Sequence, residues 1–386
     1  MLLSSHRIPK GWFRAVASMV GALMGVGIFG LPYAFAQSGF VIGAVELCLF
    51  GLLMLVLFLM FAEIVIQTKE RHLFPGYIRH YLGKTAGHIA IIVMTLSGWG
   101  AMIAYIIVGG NFFKTLFYPL FDGPEIAYQI VIALVALLLT YNGFRFLSRV
   151  EFFIVGTLLF LFFFLVFISL PEMHLTNLFS FHLERVFAPY GVILFAFGGI
   201  SIIAQLKSLF TDEDMHRLPH AVFTGHMIIS FIYFLFAFTV VGMTGNATTE
   251  NAFDGLVAIL GPVAGFVGAL LGSITVLSIF SLIAIQLQET LKTDYHIPHK
   301  IAWLSSIVVP LLLFLFGLRD FISLIGFIGA VFGGLIAILV ILTYEKMQRS
   351  AVCRAPRHCL DFPGWINIIL VLVFGFGIVL EVLHLF

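Results

Sequence analysis

The sequence predicts an all-α polytopic membrane protein, because of its composition, its eleven apolar segments and the placement of its basic residues. Of the 386 residues, 61% are hydrophobic and 10% are charged, whereas about a quarter of the residues in an average soluble protein are charged. The formal net charge of +1 indicates no nucleic-acid partner. Three cysteines are too few and too scattered for a disulfide framework or a zinc site. The composition therefore indicates a chain embedded in the lipid bilayer.

Eleven apolar segments come close to the roughly 20 residues that a helix needs to cross a bilayer. No connection between them is long enough for a soluble domain, so residues 1–386 are expected to form a single transmembrane domain. Two amphipathic connections, 72–83 and 250–260, predict short helices along the membrane surface. The predicted spans are Phe13–Gln37, Phe40–Gln67, Gly87–Tyr118, Ala127–Tyr141, Val150–Leu170, Val186–Leu206, His220–Thr244, Gly261–Gln288, Ile301–Phe316, Ile322–Tyr344 and Pro363–Leu385.

The positions of lysine and arginine predict the orientation. With the N-terminus in the cytoplasm, seventeen of the twenty basic residues fall on the cytoplasmic side, and Lys114, Arg185 and Arg319 fall outside. Cytoplasmic loops of membrane proteins carry such an excess. We therefore expect a multi-pass protein of the cell membrane, with a cytoplasmic N-terminus and an extracytoplasmic C-terminus.

Spans one and six are both interrupted by residues that disfavour a continuous helix. The stretch VGALMGVGIFGLPYAFAQSGF, residues 20–40, has five glycines and Pro32 within and just after the first span. Gly198 and Gly199 interrupt the sixth span. Glycine and proline both destabilise the interior of a helix. Pro32, together with Gly30, is expected in the first turn of an outer half-helix, where proline is tolerated.

The spacing of the two interrupted spans predicts an inverted repeat. The sixth span lies five spans after the first, and because five is odd, the two halves cross the membrane in opposite senses. Residues 13–170 form the first half, residues 186–344 the second, and the last span, 363–385, lies outside the repeat. Interrupted spans at matching positions of two halves indicate a transporter site.

Backbone groups freed by such breaks can bind a small charged molecule. Non-helical backbone survives at membrane depth only where it is buried in protein or lines a cavity. The break at Gly25, Val26 and Gly27 presents the N–H groups that begin a half-helix, which suit a carboxylate. The half-helix ending near Ala196 and Phe197 presents carbonyl groups, which suit an ammonium. The alternative is that these glycines only allow close helix packing.

Several stretches resemble a known family. GALMGVGIFGLPYAFAQSGF and APYGVILFAFGGISIIAQLK resemble the amino acid/auxin permease branch of the amino acid–polyamine–organocation superfamily, and LFLMFAEIVIQ, IRHYLGK and ETLKTDY agree with it. Within that branch the chain is similar to the bacterial aromatic amino acid permeases. The resemblance implies a LeuT-type five-plus-five fold with one additional C-terminal helix. It also implies secondary active uptake of an amino acid, aromatic or otherwise neutral, by alternating access.

The resemblance also implies the residues of the site. Gln205 departs from the family, because relatives often have an acidic residue there. A pocket for the substrate side chain is further expected beside Phe195 and Phe197. The implied carboxylate site is Met24, Gly25, Val26 and Gly27, and the implied ammonium site is Phe195, Ala196, Phe197 and Gly198.

Two intramembrane polar residues are further candidates. Tyr105, in the middle of span three, can donate a hydrogen bond to a substrate carboxylate, or it packs as an ordinary aromatic residue. Glu63 lies near the inner end of span two, where a carboxylate is costly unless it is paired, protonated or functional. It is a candidate carrier of a coupling proton, with pairing to Arg71 or Arg149 as the alternative.

Hydroxyl groups in span eight suggest a sodium site. Thr275, Ser278 and Ser281 are three residues apart and share one helix face. Their oxygens, with carbonyls of span one, can coordinate sodium, whereas the alternative is a hydrogen bond from each hydroxyl to its own helix. The coupling ion is thus H⁺ or Na⁺, with H⁺ favoured, and no tightly bound cofactor is expected. The thirteen histidines lie mostly in loops or at span ends and are expected at the interface.

Two other classes compete with a transporter. An intramembrane enzyme is disfavoured because the sequence has no serine–glycine nucleophile motif, no HExxH motif and no paired aspartates within spans. A channel is disfavoured because no segment resembles a selectivity filter. Nothing in the sequence requires more than a monomer, and the sequence does not identify the amino acid.

Overall fold

The computed structural model describes residues 10–141, 156, 159–160, 162–294, 296–350 and 360–384. Arg149, Cys353, Cys359 and the start of the predicted fifth span at Val150 lie outside these residues.

The described part of the chain is built from helices and the turns between them, with no β-strand in it. The helices are α1 (Lys10–Leu23), α2 (Gly27–Ser38), α3 (Phe40–Gln67), α4 (Phe74–Leu82), α5 (Lys84–Phe117), α6 (Glu125–Thr140), α7 (Phe162–Glu172), α8 (Ala188–Ala196), α9 (Ile202–Leu206), α10 (Leu218–Thr244), α11 (Phe253–Asp294), α12 (His299–Leu315), α13 (Phe321–Phe327), α14 (Gly334–Arg349) and α15 (Gly364–His384).

The order of these helices is consistent with the eleven predicted spans. Among the described residues, six helices are long and apolar enough to cross a membrane, and α1 with α2 forms a bent pair that counts as one more. The shorter apolar helices α6, α7 and α12 match spans four, five and nine. The half-helices α8 and α9 match span six. The all-helical, polytopic architecture is confirmed.

Both amphipathic connections form helices at equivalent places in the two halves. Helix α4 directly precedes the long α5. In the second half, the short helix that begins at Phe253 meets the long part of α11 at Gly261, whose φ of 81° belongs to the left-handed region. Glycine adopts that conformation without a steric penalty, and Pro262 then begins the next helical segment.

Span ten departs from the continuous helix that its sequence predicts. Residues Ile328–Gly333 form a π-helix between α13 and α14. This segment packs against α8, where a Cβ on Gly329 would overlap the backbone of Gly191, and a Cβ on Gly191 would overlap the backbone of Gly326 in α13. Such local widening of a helix is frequent at functional sites. Here it brings span ten directly onto the first half of span six.

Candidate functional site

The first break lies where the glycines predict it. Helix α1 ends at Leu23, α2 begins at Gly27, and the two axes differ by 58°. The outer half-helix therefore begins at Gly27, and the expectation that Gly30 and Pro32 begin it is wrong. Pro32 is the sixth residue of α2, where it lacks the N–H that would otherwise bond to the carbonyl of Ile28.

Tyr105 of α5 meets the backbone of this break. The N–H of Val26 donates a hydrogen bond to the Tyr105 hydroxyl, with an N···O distance of 3.2 Å. A Cβ on Gly25 would overlap that same hydroxyl. The Tyr105 ring lies parallel to Phe280, with ring centroids 6.2 Å apart. Tyr105 is thus held at the N-terminal end of α2.

The second break is longer and has the opposite polarity. Helix α8 ends at Ala196, and α9 begins only at Ile202. Within the break, the N–H of Gly198 bonds to the carbonyl of Phe195 at 2.8 Å. A helix that ends here directs its last carbonyl groups toward the break, because they have no partner further along the helix.

The two breaks touch each other. A Cβ on Gly27 would come within 2.7 Å of the Cα of Ala196, so only a glycine allows this approach. Tyr233 of α10 is fully buried and contacts both breaks. Its hydroxyl lies 2.6 Å from the carbonyl oxygen of Ala196 and also contacts the carbonyl oxygen of Leu23. Sequence reasoning missed Tyr233, although a hydroxyl group in the middle of an apolar span is a detectable signal.

A cavity of about 170 Å³ joins the breaks. A single water molecule needs roughly 10–15 Å³, so the space is large enough for a small organic molecule. The cavity extends from the breaks to Phe74 of α4 and Thr290 near the end of α11. In the predicted orientation that end of the protein is cytoplasmic.

Six of the nine predicted substrate residues line this cavity and three do not. The lining includes Gly25, Gly27, Tyr105, Phe195, Ala196 and Gly198. Met24, Val26 and Phe197 are outside the lining, although the N–H of Val26 still bonds to Tyr105.

Phe197 packs away from the cavity. Its ring stacks on His226 of α10, with centroids 4.7 Å apart and planes 18° apart. The expectation that this ring lines a substrate pocket is therefore wrong, because the chain turns out of the helix after Ala196. His226 in turn is not interfacial: it is fully buried, and its Nε2 lies 2.8 Å from the carbonyl oxygen of Gly51.

Glu63 is buried but lies outside the cavity lining. One carboxylate oxygen accepts a hydrogen bond of 2.7 Å from Gln67, one helical turn further along α3. Glu63 and Arg71, both within the described residues, form no ion pair with each other, and Arg149 is outside the described residues.

None of the three predicted hydroxyl residues of span eight lines the cavity. The Thr275 hydroxyl donates to the carbonyl of Leu271 at 2.9 Å, which is the alternative of a bond within its own helix. Ser278 is half-buried, and the Ser281 hydroxyl is buried with no hydrogen-bond partner among the described residues. The α11 residues that line the cavity are instead Ile279, Leu282, Ile283, Gln286, Leu287 and Thr290.

Lys207 fixes the inner end of span six. Its ammonium group donates hydrogen bonds to the carbonyl oxygens of Thr68 at 2.5 Å and Glu70 at 3.2 Å. Burial, and then the nearby Arg71, lower the pKa of this lysine. The contact joins α9 to the end of α3 on the side to which the cavity extends.

Two broken helices meet at one cavity, where the first presents the N-terminal end of a half-helix and the second presents the C-terminal end of another. This arrangement defines a secondary transporter built on an inverted repeat. Comparison with known sequences then identifies the family. The profile of the tryptophan/tyrosine permease family matches residues 9–384. The chain belongs to this family.

Individual relatives agree with this assignment. A tyrosine-specific transport system of Haemophilus influenzae is 25% identical over 384 residues, which cover 92% of each protein. A putative sodium-coupled neutral amino acid transporter of Danio rerio is 30% identical over 125 residues, or 30% of this chain and 27% of that protein.

Solved structures share the fold. MhsT, crystallised with L-phenylalanine, superposes with a TM-score of 0.69 at 15% identity and covers 97% of this chain and 98% of its own. A manganese transporter of Eremococcus coleocola gives a TM-score of 0.68 at 15% identity, over 96% of this chain and 86% of its own. The LeuT-type fold expected from the sequence is confirmed. The protein is a membrane-embedded secondary amino acid transporter and not an enzyme.

Proposed function

We propose that this transporter carries an aromatic amino acid across the cell membrane, binding it between the two breaks and exposing the site alternately to each side. The observation that carries the proposal is the cavity that Gly25, Tyr105 and Ala196 line together. The N-terminal end of α2 and the C-terminal end of α8 thus meet at the same cavity. An α-amino acid carries one anionic and one cationic group on the same carbon atom, so one cavity can hold both.

The remaining wall of the cavity suits an apolar side chain. Gly98 and Ala101 of α5 leave space because their side chains are small, while Leu282 and Ile283 of α11 provide apolar contact. Pockets for small molecules are commonly apolar with a few polar groups that fix orientation. An aromatic ring fits such a wall, and the family name and the tyrosine-specific relative support the same substrate class.

The orientation and assembly form part of the proposal. We place the N-terminus in the cytoplasm and the C-terminus outside, so that the cavity extends toward the cytoplasm. The contact between Gly191 and Gly329 then closes the outer side, and it must loosen for the site to open outward. A monomer suffices, because both breaks and the cavity belong to one chain.

Proton coupling is proposed in preference to sodium coupling. Beside the first break, span eight presents Ile279, which offers no oxygen to sodium, and the polar Gln286 and Thr290 line the cavity further along α11. Glu63 is a buried carboxylate within span two, and it is the candidate proton carrier to test first. Uptake driven by a pH gradient, without sodium, should persist in the wild type. If Glu63→Gln transports as well as the wild type under that gradient, Glu63 is not the carrier.

The substrate proposal is tested by counterflow. Proteoliposomes loaded with unlabelled L-tyrosine, L-tryptophan or L-phenylalanine should accumulate the labelled form of the same amino acid, whereas those loaded with L-glutamate or L-lysine should not. Accumulation of a charged amino acid with none of the aromatic ones would overturn the proposal.

A further inference from the structure

Two half-helices end at the same point inside the protein. The last residue of α1 is Leu23, and the last residue of α8 is Ala196. The carbonyl oxygens of both residues contact one atom, the hydroxyl oxygen of Tyr233. Tyr233 is fully buried, and its ring packs edge-on against Phe197, with centroids 5.2 Å apart.

The surroundings of this hydroxyl favour positive charge. The C-terminal end of each helix carries a partial negative charge, so two such ends at one point form a region of negative potential. A phenolic hydroxyl has a single proton and donates to one carbonyl at a time. A monovalent cation interacts with both oxygens at once, and broken transporter helices use such carbonyl ends to coordinate coupling ions.

We propose that the Tyr233 hydroxyl occupies a monovalent-cation position between the carbonyls of Leu23 and Ala196, and so joins the two breaks without an ion. This position suits sodium, because the two oxygen atoms that contact it are hard carbonyl oxygens. Tyr233 is accordingly a positioning residue: it holds the carbonyl end of α8 against the end of α1. The proposal goes beyond the choice of substrate, since it concerns the joint between the breaks.

Two substitutions separate this role from a merely structural one. Tyr233→Phe removes the hydroxyl and keeps the ring, so both carbonyls lose their donor. Tyr233→Asn removes the ring, opens space beside the carbonyls and supplies an amide oxygen as a third ligand for sodium. Tyr190→Phe is the matched control, because Tyr190 is also buried but its hydroxyl has no hydrogen-bond partner among the described residues.

The experiment measures thermal unfolding of the purified full-length protein in detergent, without any amino acid. Each variant is heated in sodium chloride, potassium chloride and choline chloride at equal ionic strength. We expect Tyr233→Asn to gain a saturable rise in Tm with sodium, larger than that of the wild type and Tyr190→Phe. We also expect Tyr233→Phe to unfold below Tyr190→Phe in every salt.

Either of two results would overturn the proposal. One is a sodium response of Tyr233→Asn no larger than that of the wild type; if that variant does not fold, Tyr233→Ser takes its place in the same measurement. The other is equal stability of Tyr233→Phe and Tyr190→Phe. Because no substrate is present, failure of the counterflow experiment would leave these results unaffected.

Discussion

The two broken helices hold the same position in their halves of the chain but differ in length, polarity and support. The first break has three residues between Leu23 and Gly27 and presents N–H groups. The second has five residues between Ala196 and Ile202 and presents carbonyl groups. Tyr105 supports the first break through an N–H group, whereas Tyr233 supports both through carbonyls.

This difference shows how an inverted repeat produces an asymmetric site. The two halves run in opposite directions across the membrane, so the half-helices that meet at the cavity have opposite dipoles. One break thus suits an anionic group and the other a cationic group, without a charged side chain at either. Tyr105 accepts a hydrogen bond from the N–H that precedes α2, whereas Tyr233 donates to the carbonyl at the end of α8 or to that at the end of α1.

The largest effect is expected from filling the first break. Gly25→Leu forces the Tyr105 hydroxyl away from the Val26 N–H, because even a Cβ overlaps it. Displacing groups of a binding site by about 1 Å can cost roughly a hundredfold in rate. Uptake of the aromatic substrate should therefore fall by at least that factor, with the amount of protein in the membrane nearly unchanged.

Gly375→Leu is the control for this substitution. Gly375 lies in α15, outside the repeat, and no atom lies within 4 Å of the position of its Cβ. It should transport like the wild type. Normal uptake by Gly25→Leu would show that the first break does not form the site.

A smaller effect is expected from removing the support of the first break alone. Tyr105→Phe leaves the buried N–H of Val26 without its acceptor, and a lost hydrogen bond of this kind costs roughly 1–3 kcal/mol. The KM for uptake should rise by about fivefold or more, since roughly 1.4 kcal/mol corresponds to a factor of ten. An unchanged KM in transport assays, with Tyr190→Phe as the matched control, would contradict a role for the Tyr105 hydroxyl.

Some features of the two breaks could be predicted from the sequence, because glycines and the spacing of apolar segments indicate them directly. Glycines within apolar segments located both breaks, and the odd spacing of the spans gave their opposite directions. Tyr105 was found because span three runs beside the site in the fold that the family resemblance implies. Tyr233 and His226 were missed because span seven also contains five phenylalanines, which hide single polar residues in the hydropathy pattern.

Other details could not be predicted because a hydropathy pattern does not give the rotation of a helix about its axis. Thr275, Ser278 and Ser281 were expected to coordinate an ion from one helix face, but Ile279 and Ile283 line the cavity and all three hydroxyl residues stay outside its lining. The π-helix at 328–333 contains Gly329, which lies against Gly191, a residue far away in sequence. Contacts of this kind follow from tertiary packing and have no local pattern.

A moderate effect is expected at the inner end of the second break. Lys207→Met removes the hydrogen bonds to Thr68 and Glu70 that fix span six to span two. Because Lys207 is outside the cavity lining, the maximal rate of uptake should change by a few-fold while KM changes less. Lys292→Met, which removes a partly exposed pair with Glu289, serves as the control. A change confined to KM would place Lys207 in the substrate site instead.

The smallest effect is expected in span eight. The Thr275 hydroxyl bonds to its own helix, as does that of Thr239 in α10. Replacing either by alanine should change uptake by less than about twofold, as bonds within a helix add little. Uptake is measured under a sodium gradient and, separately, under a pH gradient. A loss of sodium-driven uptake in Thr275→Ala alone would restore the sodium site predicted from the sequence.

The most direct test of the account is whether both charges of the substrate are required, because the two breaks are assigned one charge each. Uptake of labelled L-tyrosine into proteoliposomes is measured with excess tyramine, which lacks the carboxylate, or 3-(4-hydroxyphenyl)propionate, which lacks the ammonium. We predict that unlabelled L-tyrosine competes and that neither analogue competes at a hundredfold higher concentration. Competition by either analogue as strong as that by L-tyrosine would contradict the account.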